Sequence, residues 1–520
     1  MHLTQPLHKA LLQKPDATAL ICGERRQSFA AFVARVVRLA SVLRELGVEN
    51  GERVAMLGFN SDRYVEYLYA TWWAGGVVNP VNARWSAREM ATSLDDCDTR
   101  ILLVDDPFLP LVSELRALSS SLETVLRFGA SEHDARPRGI DDIEARMSTA
   151  APLKDALRGG DDLAAIMYTG GTTGRPKGVM LTHANLYVSQ LSSNFAAPRP
   201  DDAIGLNLAP LFHVGGLGLT LQLMMRLCTQ VLVPAFDETT VLTLIERERA
   251  SETFLVPTML KRLIEDPQFA AHDLSSLELV LYGAAPIDET LLKAALARLP
   301  HTRFCQLYGM TELSPVVAVL PPWCHDPAQP AARLRAAGRP VPIAEVRIVA
   351  PDGTTAPTHA VGEIVARGPM TMAGYWNQPE RTAEVLRDGW LHTGDAGYVD
   401  EDGFLYVVDR LKDMIVTGGE NVYSAEVENA VAQLPQVALC AVIGVPDDQW
   451  GERVHAVIAL RASETLDEQA VIAHCRTLIA RYKCPRSVTF VDQLALSPSG
   501  KILKQPLREA YWATRERKVN

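Results

Sequence analysis

The part of the chain that most clearly indicates chemistry is residues 168–178, Tyr-Thr-Gly-Gly-Thr-Thr-Gly-Arg-Pro-Lys-Gly. Glycines let a backbone approach a ligand closely, and bare N–H groups and hydroxyls can surround an anion. Lys177 adds a fixed positive charge to the same stretch. The pattern therefore predicts a polyphosphate-binding loop with contacts from Thr169, Gly170, Gly171, Thr172, Thr173, Gly174 and Lys177.

This loop differs from the common P-loop of nucleotide-binding proteins. In that motif a Gly-Lys pair precedes Ser or Thr at the start of a helix, whereas Lys177 follows Pro176 and precedes Gly178. Glycine and threonine are also turn and strand residues, so the loop alone leaves a second interpretation open, an ordinary surface hairpin. The remaining motifs of the chain favour the phosphate-binding interpretation.

Length, composition and charge exclude several classes of function. The chain has 520 residues, 48% of them hydrophobic, which is enough for a large core and two or more domains. Lys plus Arg number 51 and Asp plus Glu number 62, and the formal charge of -11 gives no general attraction to nucleic acid. The eight cysteines form no Cys-x-x-Cys pair, as expected of a reduced, cytoplasmic protein rather than a disulfide or zinc scaffold.

Membrane insertion is not expected from the sequence. Residues 1–15 hold no apolar run of the kind found in signal peptides, and no window approaches the roughly 18 apolar residues of a membrane span. Peripheral membrane contact and a homodimer both stay open.

Alternating strand and helix patterns in residues 1–160 predict a two-sided, parallel α/β sheet. Further along, residues 206–216 have the pattern of a strand that ends in a Gly215-Gly216 turn, with an apolar helix following. Residues 254–258 and 279–286 are predicted as two more strands, with turns at the carboxyl ends, where open α/β sheets bind ligands.

Shorter elements follow in the last third of the chain. From Gly338 onward, short strands and hairpins predict a small β-barrel or sheet. The charge run at residues 409–413 is expected to break a strand over 404–408. Residues 413–520 mix strands and helices in the pattern of a compact α+β unit.

Two of the motifs resemble those of one protein family. Residues 168–178 resemble the phosphate loop of the adenylate-forming superfamily, which contains acyl-CoA synthetases, adenylation domains and beetle luciferases. Residues 306–312, Gln-Leu-Tyr-Gly-Met-Thr-Glu, resemble a second signature of that superfamily. The signature supplies a ring that can stack on adenine, a hydroxyl for a phosphate and a carboxylate for Mg²⁺, from Tyr308, Thr311 and Glu312, with Gly309 in the same nucleotide-binding set.

The resemblance implies further nucleotide contacts and a catalytic lysine. The implied nucleotide ligands are the adenine segment Gly283, Ala284, Ala285 and Pro286, the ribose ligand Asp395, and the ribose and phosphate ligand Arg410. The implied residues of the small domain are the hinge Lys412, the pantetheine-facing turn with Gly418, Gly419 and Glu420, and the catalytic Lys501. Lys501 is expected on an exposed, mobile turn, from which its ammonium would neutralise charge on the α-phosphate.

The sequence also indicates an acyl pocket. His213 precedes two glycines, and in the family an aromatic residue or a histidine at this point lines that pocket. The predicted lining residues are His213, Val214, Val256, Thr258, Tyr282 and Met310. No Asp or Glu occurs from Ala203 through Phe236, so an α-ammonium on the substrate would lack a counter-charge. A carboxylic acid without an α-amine is therefore expected.

The resemblance implies an α/β fold with a large N-terminal domain, residues 1–409, that ends in the small β-barrel. A hinge at 410–412 would join it to a small α+β domain, residues 413–520. The implied enzyme is an AMP-forming carboxylic acid–CoA ligase that uses ATP, Mg²⁺ and CoA, with Lys501, Thr311, Glu312 and His213 as its catalytic set. The apolar lining suits a fatty or an aromatic acid, and the Tyr-Thr-Gly-Gly-Thr-Thr-Gly form of the phosphate loop favours a medium- or long-chain fatty acid.

Three alternatives are weighed against this function. An aryl or cinnamate-type acid is the near alternative as substrate. An acyl-AMP ligase that loads a carrier protein is the second alternative, although no insertion near the hinge supports it. A nucleotide-binding protein without catalysis is the third, and the presence of Lys501 and Glu312 argues against it.

Overall fold

A computed structural model describes residues 1–128, 140–169, 176–497 and 501–513. In chain order its strands are β1 (Thr18–Cys22), β2 (Arg25–Ser28), β3 (Arg53–Leu57), β4 (Val77–Pro80), β5 (Ile101–Val104), β6 (Thr124–Arg127), β7 (Asp141–Asp142), β8 (Leu163–Thr169), β9 (Lys177–Thr182), β10 (Ile204–Asn207), β11 (Thr229–Leu232), β12 (Glu252–Leu255), β13 (Leu279–Gly283), β14 (Arg303–Tyr308), β15 (Ala318–Leu320), β16 (Arg339–Pro340), β17 (Glu345–Val349), β18 (Gly362–Arg367), β19 (Gly374–Tyr375), β20 (Leu386–Arg387), β21 (Trp390–Val399), β22 (Leu405–Arg410), β23 (Ile415–Thr417), β24 (Glu420–Val422), β25 (Val437–Asp447), β26 (Gly451–Leu460) and β27 (Ser487–Val491).

The α-helices are α1 (Gln5–Gln13), α2 (Phe29–Glu45), α3 (Asp62–Trp73), α4 (Ala87–Asp96), α5 (Val112–Leu118), α6 (Ile143–Thr149), α7 (His183–Ala196), α8 (Val214–Met225), α9 (Glu238–Glu248), α10 (Pro257–Glu265), α11 (Glu289–Arg298), α12 (Pro379–Val385), α13 (Ser424–Val431), α14 (Glu468–Leu478) and α15 (Lys504–Trp512). Short 3₁₀ turns lie at Asp106–Leu111, Phe269–Ala271, Thr311–Leu313, Pro322–His325, Ala331–Arg335 and Leu411–Asp413.

Two large sheets form the body of the molecule. One has the strand order β16-β15-β14-β13-β12-β10-β11-β1-β2, and the other has the order β19-β9-β8-β4-β3-β5-β6-β7. The central pairs are parallel, so the carboxyl ends of the central strands meet at one edge of each sheet. Antiparallel pairs lie towards the β16 and β2 edges of the first sheet and the β19 edge of the second, whereas β6 and β7 at the other edge are parallel. The predicted α/β architecture is confirmed.

Two smaller sheets complete the fold. Strands β17, β18, β20, β21 and β22 form an antiparallel half-barrel, and β23 to β27 form a five-stranded sheet flanked by α13, α14 and α15. Within the described residues, no helix is long and apolar enough to cross a membrane.

Local sequence signals explain several of the helices. Ser61 accepts a hydrogen bond from the N–H of Tyr64 and begins α3, as its position predicts. Ser86 and Glu89 form a capping box at the start of α4. The aromatic residues of α3 are buried core, where the Tyr67 hydroxyl and the Trp72 indole donate to backbone carbonyls of β3 and β8.

Two predicted strands are wrong in extent. The strand predicted over 206–216 ends at Asn207, and Gly215 and Gly216 lie in the first turn of α8 instead of a glycine turn. A Cβ on Gly216 would lie 2.3 Å from the carbonyl oxygen of Pro210, so glycine there permits close packing of the helix on the preceding loop. The strand predicted over 254–258 ends at Leu255, because Pro257 begins α10 and proline favours a first helical turn.

The charge run at 409–413 does not break the strand where predicted. β22 continues through Asp409 and Arg410, because Asp395 pairs with Arg410 and Ala396 pairs with Asp409 across the half-barrel. The chain leaves the sheet only at the 3₁₀ turn Leu411–Asp413. The register therefore places Arg410 opposite Asp395.

Candidate active site

The predicted phosphate loop connects two paired strands. β8 and β9 are antiparallel neighbours, and Thr169 pairs with Lys177 at the end of the ladder. Gly170, Gly171, Thr172, Thr173 and Gly174 lie outside the described residues, so their roles stay predictions. The Lys177 ammonium lies 5.0 Å from the ring centroid of Tyr375, a contact that holds the cation next to the site.

The carboxylate predicted to bind Mg²⁺ is buried and oriented. Glu312 is 7% exposed on the 3₁₀ turn after β14. The Tyr375 hydroxyl donates to Glu312 Oε1 at 2.9 Å, and the N–H of Met372 donates to its backbone carbonyl at 2.9 Å. Burial and the neighbouring Glu312 charge raise the pKa of Tyr375, which keeps this hydroxyl a donor.

The residues present fit a magnesium ion that also binds phosphates. Mg²⁺ takes one or two protein carboxylates and completes its shell with phosphate oxygens and water. Glu312 supplies a hard oxygen donor of this kind, and a carboxylate retains accepting capacity after one hydrogen bond. The described part of the chain contains no group of three or more His, Cys, Asp or Glu that could hold a metal.

The predicted ribose ligands form one connected set. The Tyr308 hydroxyl donates to Asp395 Oδ2 at 2.7 Å, and Arg410 Nε contacts Asp395 Oδ1 at 2.7 Å. Asp395 is 5% exposed. Burial and the Asp395 charge raise the pKa of Tyr308, so its hydroxyl stays protonated and oriented. The half-barrel register brings Asp395 and Arg410 together, and Tyr308 reaches them from the end of β14.

The predicted adenine segment follows β13 directly. A Cβ on Gly283 would lie 2.2 Å from the carbonyl oxygen of Leu307, so β13 and β14 approach too closely there for a side chain. The packing around Gly309 is closer still, since a Cβ there would lie 1.7 Å from the carbonyl oxygen of Pro315. Ala284 has a φ of 65°, in the left-handed region. Ala284 and Pro286 are exposed and Ala285 is partly so, which leaves this segment open to a ligand.

His213 lies at the amino end of α8, where its side chain is half-buried and its Nε2 atom is buried. Its Nε2 makes no hydrogen bond to any described residue. Burial, with Arg84 and Lys501 nearby, lowers the pKa of His213 to about 4, so the ring is neutral at pH 7. A neutral ring without a polar partner presents one free nitrogen to whatever occupies the space beside it.

Lys501 keeps exposed surface, and residues 498–500 of its predicted turn lie outside the described residues. Its backbone N–H donates to Ser497 Oγ at 3.0 Å. Burial of the ammonium, together with Arg410 and Lys412, lowers the pKa of Lys501 to about 8, while Asp395 and Glu312 oppose that shift. The ammonium thus shares one electrostatic environment with the nucleotide ligands.

The residues predicted for the second half-reaction lie apart from this cleft. Gly418 and Gly419 form the exposed turn between β23 and β24 with φ of 62° and 85°, conformations that favour glycine. A Cβ on Gly418 would lie 2.5 Å from the Trp450 ring. Glu420 is also exposed. Lys412 is nearer the site, and burial lowers its pKa, with Arg410 and Lys177 acting in the same direction and Asp413 and Asp395 opposing the shift.

One further correction concerns the predicted lining of the acyl pocket. Tyr282, predicted to line the pocket, packs on the opposite side of the sheet, where its hydroxyl meets His325 Nε2 at 2.8 Å. Successive side chains along β13 point to opposite faces of the sheet, so Tyr282 lies on the face opposite to that of Leu281.

Tyr375 was not among the predicted site residues. Only its pairing through β19 to β9 brings it to Glu312 and Lys177, and no local signal marks it.

The sequence matches a family model described as AMP-binding enzyme over residues 7–376, and its C-terminal domain over residues 426–501. The chain belongs to the AMP-binding enzyme family. The predicted superfamily and the predicted class, an AMP-forming acid–CoA ligase, are confirmed with it.

Similar proteins cover almost the whole chain. A feruloyl-CoA synthase from an Amycolatopsis species is 41% identical over 97% of this chain and 98% of its own. The long-chain-fatty-acid–CoA ligase FadD13 of Mycobacterium tuberculosis is 36% identical over 94% of both chains. The anthranilate CoA ligase AuaEII, solved in complex with anthranoyl-AMP, has a TM-score of 0.90 at 27% identity and covers 98% of this chain and 97% of its own.

Proposed function

We propose that this enzyme joins an aryl or arylpropenoic acid to CoA, through an acyl-adenylate made from ATP. The observation that carries the proposal is the convergence of Lys501 with Glu312, Asp395 and Arg410 beside the half-buried His213. A cation among nucleotide and metal ligands is the arrangement that stabilises charge developing on a phosphate.

In the first half-reaction a carboxylate oxygen attacks the α-phosphorus of ATP. The new P–O bond forms as the bond to pyrophosphate breaks, and pyrophosphate leaves with the electron pair. Lys501, with its pKa lowered to about 8, is still largely protonated at pH 7 and neutralises the developing charge. Thr311 and Lys177 bind phosphate oxygens, while Asp395 and Arg410 hold the ribose. Mg²⁺, held by Glu312, would screen the phosphate charge.

In the second half-reaction the thiol sulfur of CoA attacks the acyl carbonyl. The C–S bond forms, the C–O bond to AMP breaks, and the thiol proton goes to solvent or to AMP. We assign residues 1–409 to the large domain, 410–412 to the hinge and 413–520 to the small domain. Rotation about Lys412 would withdraw Lys501 and present the turn at Gly418, Gly419 and Glu420 to the pantetheine arm.

The acid is proposed as aryl instead of the medium- or long-chain fatty acid expected from the sequence. The identity to a feruloyl-CoA synthase, 41%, exceeds the 36% to a long-chain-fatty-acid ligase over similar coverage. The neutral His213, whose buried Nε2 has no partner among the described residues, also favours an acid with polarisable or polar atoms over a plain alkyl chain, because this nitrogen would otherwise face hydrocarbon. The fatty acid remains the second candidate, supported by the apolar face of α8.

Pyrophosphate release from Mg·ATP with a panel of acids, with and without CoA, tests the proposal. We expect CoA-dependent turnover that is fastest with cinnamate- or benzoate-type acids. Fastest turnover with fatty acids would overturn the aryl assignment while keeping the ligase. Release that stops after about one equivalent and ignores CoA would instead identify an acyl-AMP ligase that awaits a carrier protein.

A further inference from the structure

An apolar cluster lies between α8 and the large sheet, and it ends in buried charges. The cluster contains Leu219 and Leu223 of α8, Phe254 of β12, Leu281 of β13 and Cys305 of β14. At one end it begins at the catalytic edge, where a Cβ on Gly215 would lie 3.4 Å from the Phe254 ring. This cluster is therefore continuous with the first turn of α8, next to His213.

The other end of the cluster is charged. Residues alternate along an extended strand, so Glu252 and Phe254 share one face of β12. Val256, which follows the strand with an extended backbone, belongs to the same cluster as Phe254. Glu252 is 0% exposed and forms ion pairs with Arg226 and, at 3.5 Å between Nη1 and Oε1, with Arg199. The Arg199 side chain is only 3% exposed. Two cations thus share one carboxylate away from water.

This buried triad is incompletely hydrogen-bonded. Arg199 donates through Nη2 to Gln222 Oε1, but its Nε and Nη1, the Nε of Arg226 and the Oε2 of Glu252 have no hydrogen-bond partner in the described chain. Such groups cost free energy when buried unless something satisfies them. The unmatched set contains both donors and an acceptor. A hydroxyl both donates and accepts, whereas a carboxylate only accepts and would also face Glu252.

We propose that Arg199, with Glu252 and Arg226, forms the distal end of the acyl site and binds a hydroxyl carried at the far end of the acid. The proposal rests on the aryl-acid function above and narrows it to hydroxyaryl acids. Arg199 donates to the hydroxyl oxygen, and the hydroxyl donates to Glu252 Oε2.

The length of the cluster agrees with this class of acid. Val256 and Glu252 are four residues apart, about 13 Å along an extended strand. A 4-hydroxycinnamate spans about 9 Å from its carboxyl carbon to its hydroxyl oxygen, from ordinary bond lengths. An extended sixteen-carbon chain spans roughly 20 Å on the same basis and would meet the buried charges with its apolar end.

The test compares kcat/KM for 4-hydroxycinnamate, 4-methylcinnamate and cinnamate in the wild type and in Arg199→Met. We expect the wild type to favour the hydroxylated acid over the other two by about 10- to 100-fold, as for a hydrogen bond to a charged group. In Arg199→Met that ratio should fall towards one. Arg127→Met removes a similarly buried, ion-paired arginine far from the cluster and should keep the wild-type ratio.

Each outcome bears on the proposal. A wild-type ratio near one, or a ratio that Arg199→Met leaves intact, would overturn it. If Arg199→Met does not fold, Glu252→Gln keeps the side-chain size and should lower the same ratio, and an unchanged ratio there counts against the proposal. Activity with cinnamate distinguishes failure of the subsite from failure of the proposed function. Turnover of aryl acids without a preference for the hydroxyl refutes the subsite alone. An absence of turnover with any aryl acid refutes the proposed function.

Discussion

At the scale of single residues, the site depends on where charges lie relative to one another. The pKa of Lys501 is lowered by burial and by two neighbouring cations, while two carboxylates oppose this shift and favour the charged form. Glu312 and Asp395 are both buried, and each accepts from a tyrosine hydroxyl that its own charge helps to keep protonated. The two tyrosines fix the carboxylate orientations before any nucleotide binds, which is the preorganisation that phosphate chemistry needs.

Replacing the lysine tests its role directly. Lys501→Ala should slow acyl-adenylate formation by about 10²–10³-fold, because it removes the ammonium assigned to neutralise the α-phosphate. In the wild type, kcat/KM for ATP should fall as pH rises through about 8, since the protonated lysine is the active form and loses its proton there. Lys501→Arg keeps its charge and should move that fall to higher pH. Full adenylation activity in Lys501→Ala would refute the assignment.

Tyr375 is expected to position the magnesium ligand. Tyr375→Phe keeps the ring beneath Lys177 but removes the hydroxyl that donates to Glu312. A hydrogen bond to a charged group is worth about 1.5–3 kcal/mol, so the Mg²⁺ concentration at half-maximal protection of ATP-bound protein against thermal unfolding should rise about tenfold. Tyr67→Phe removes a buried tyrosine hydrogen bond in the core and is the matched control. Equal Mg²⁺ dependence in both variants would exclude the role.

At the scale of elements, α8 connects the acyl pocket to the loop that precedes it. Its first turn holds two adjacent glycines in different surroundings. A Cβ added to Gly216 would lie 2.5 Å from the carbonyl oxygen of Ala209 and 2.3 Å from that of Pro210. A Cβ added to Gly215 would lie 3.4 Å from the Phe254 ring. One glycine therefore permits the fold, and the other leaves room at the mouth of the pocket.

This difference predicts opposite effects of the same substitution. Gly216→Ala should lower the free energy of unfolding by about 1–3 kcal/mol, because a methyl group has no space there. Gly215→Ala should leave stability equal or slightly higher, since alanine favours a helix, but raise KM for the acid by narrowing the pocket at Phe254. Chemical denaturation of the two variants measures the free energy of unfolding, and steady-state kinetics measure KM for the acid. Equal loss of stability in both would contradict the packing described.

Much of the fold and part of the site could be predicted from the sequence for identifiable reasons. Helix caps such as Ser61 and apolar strands such as β5 are local signals, and the structure reproduces them. Family motifs placed Lys501, Glu312 and Asp395 in one expected site. The extent of β22 could not be predicted, because its last residues are held by pairing with β21. Tyr375 and Arg199 depend on partners about 60 and 50 residues away, Glu312 and Glu252.

At the scale of the whole molecule, helix α10 contacts the C-terminal sheet. The Lys261 ammonium on α10 donates to the carbonyl of Ala438 on β25 at 2.5 Å, and Arg461 pairs with Glu265 at 3.0 Å. Both contacts join the large sheet's helices to the C-terminal sheet. In this orientation Lys501 lies in the cleft, so these contacts belong to the arrangement proposed for adenylate formation.

Loosening the interface should affect the two half-reactions in opposite directions. Lys261→Ala removes one contact of the docked state, worth about 1 kcal/mol, and should slow adenylate formation by up to about fivefold. Thioester formation from preformed acyl-adenylate should be equal or faster. Lys293→Ala removes a surface lysine paired within α11 and is the control. Single-turnover measurements give the rate of each half-reaction. A change of the same sign in both rates would contradict a docked state that is specific to adenylate formation.

The central claim, that the acid is activated as an adenylate in this cleft, has one direct test. The enzyme is incubated with Mg·ATP, CoA and an aryl acid labelled with ¹⁸O in its carboxylate, and the products are analysed by mass spectrometry. Attack of the carboxylate on the α-phosphorus, followed by cleavage of the acyl C–O bond, predicts one ¹⁸O in AMP and none in pyrophosphate. Unlabelled AMP, or label in orthophosphate with ADP as the product, would contradict the account.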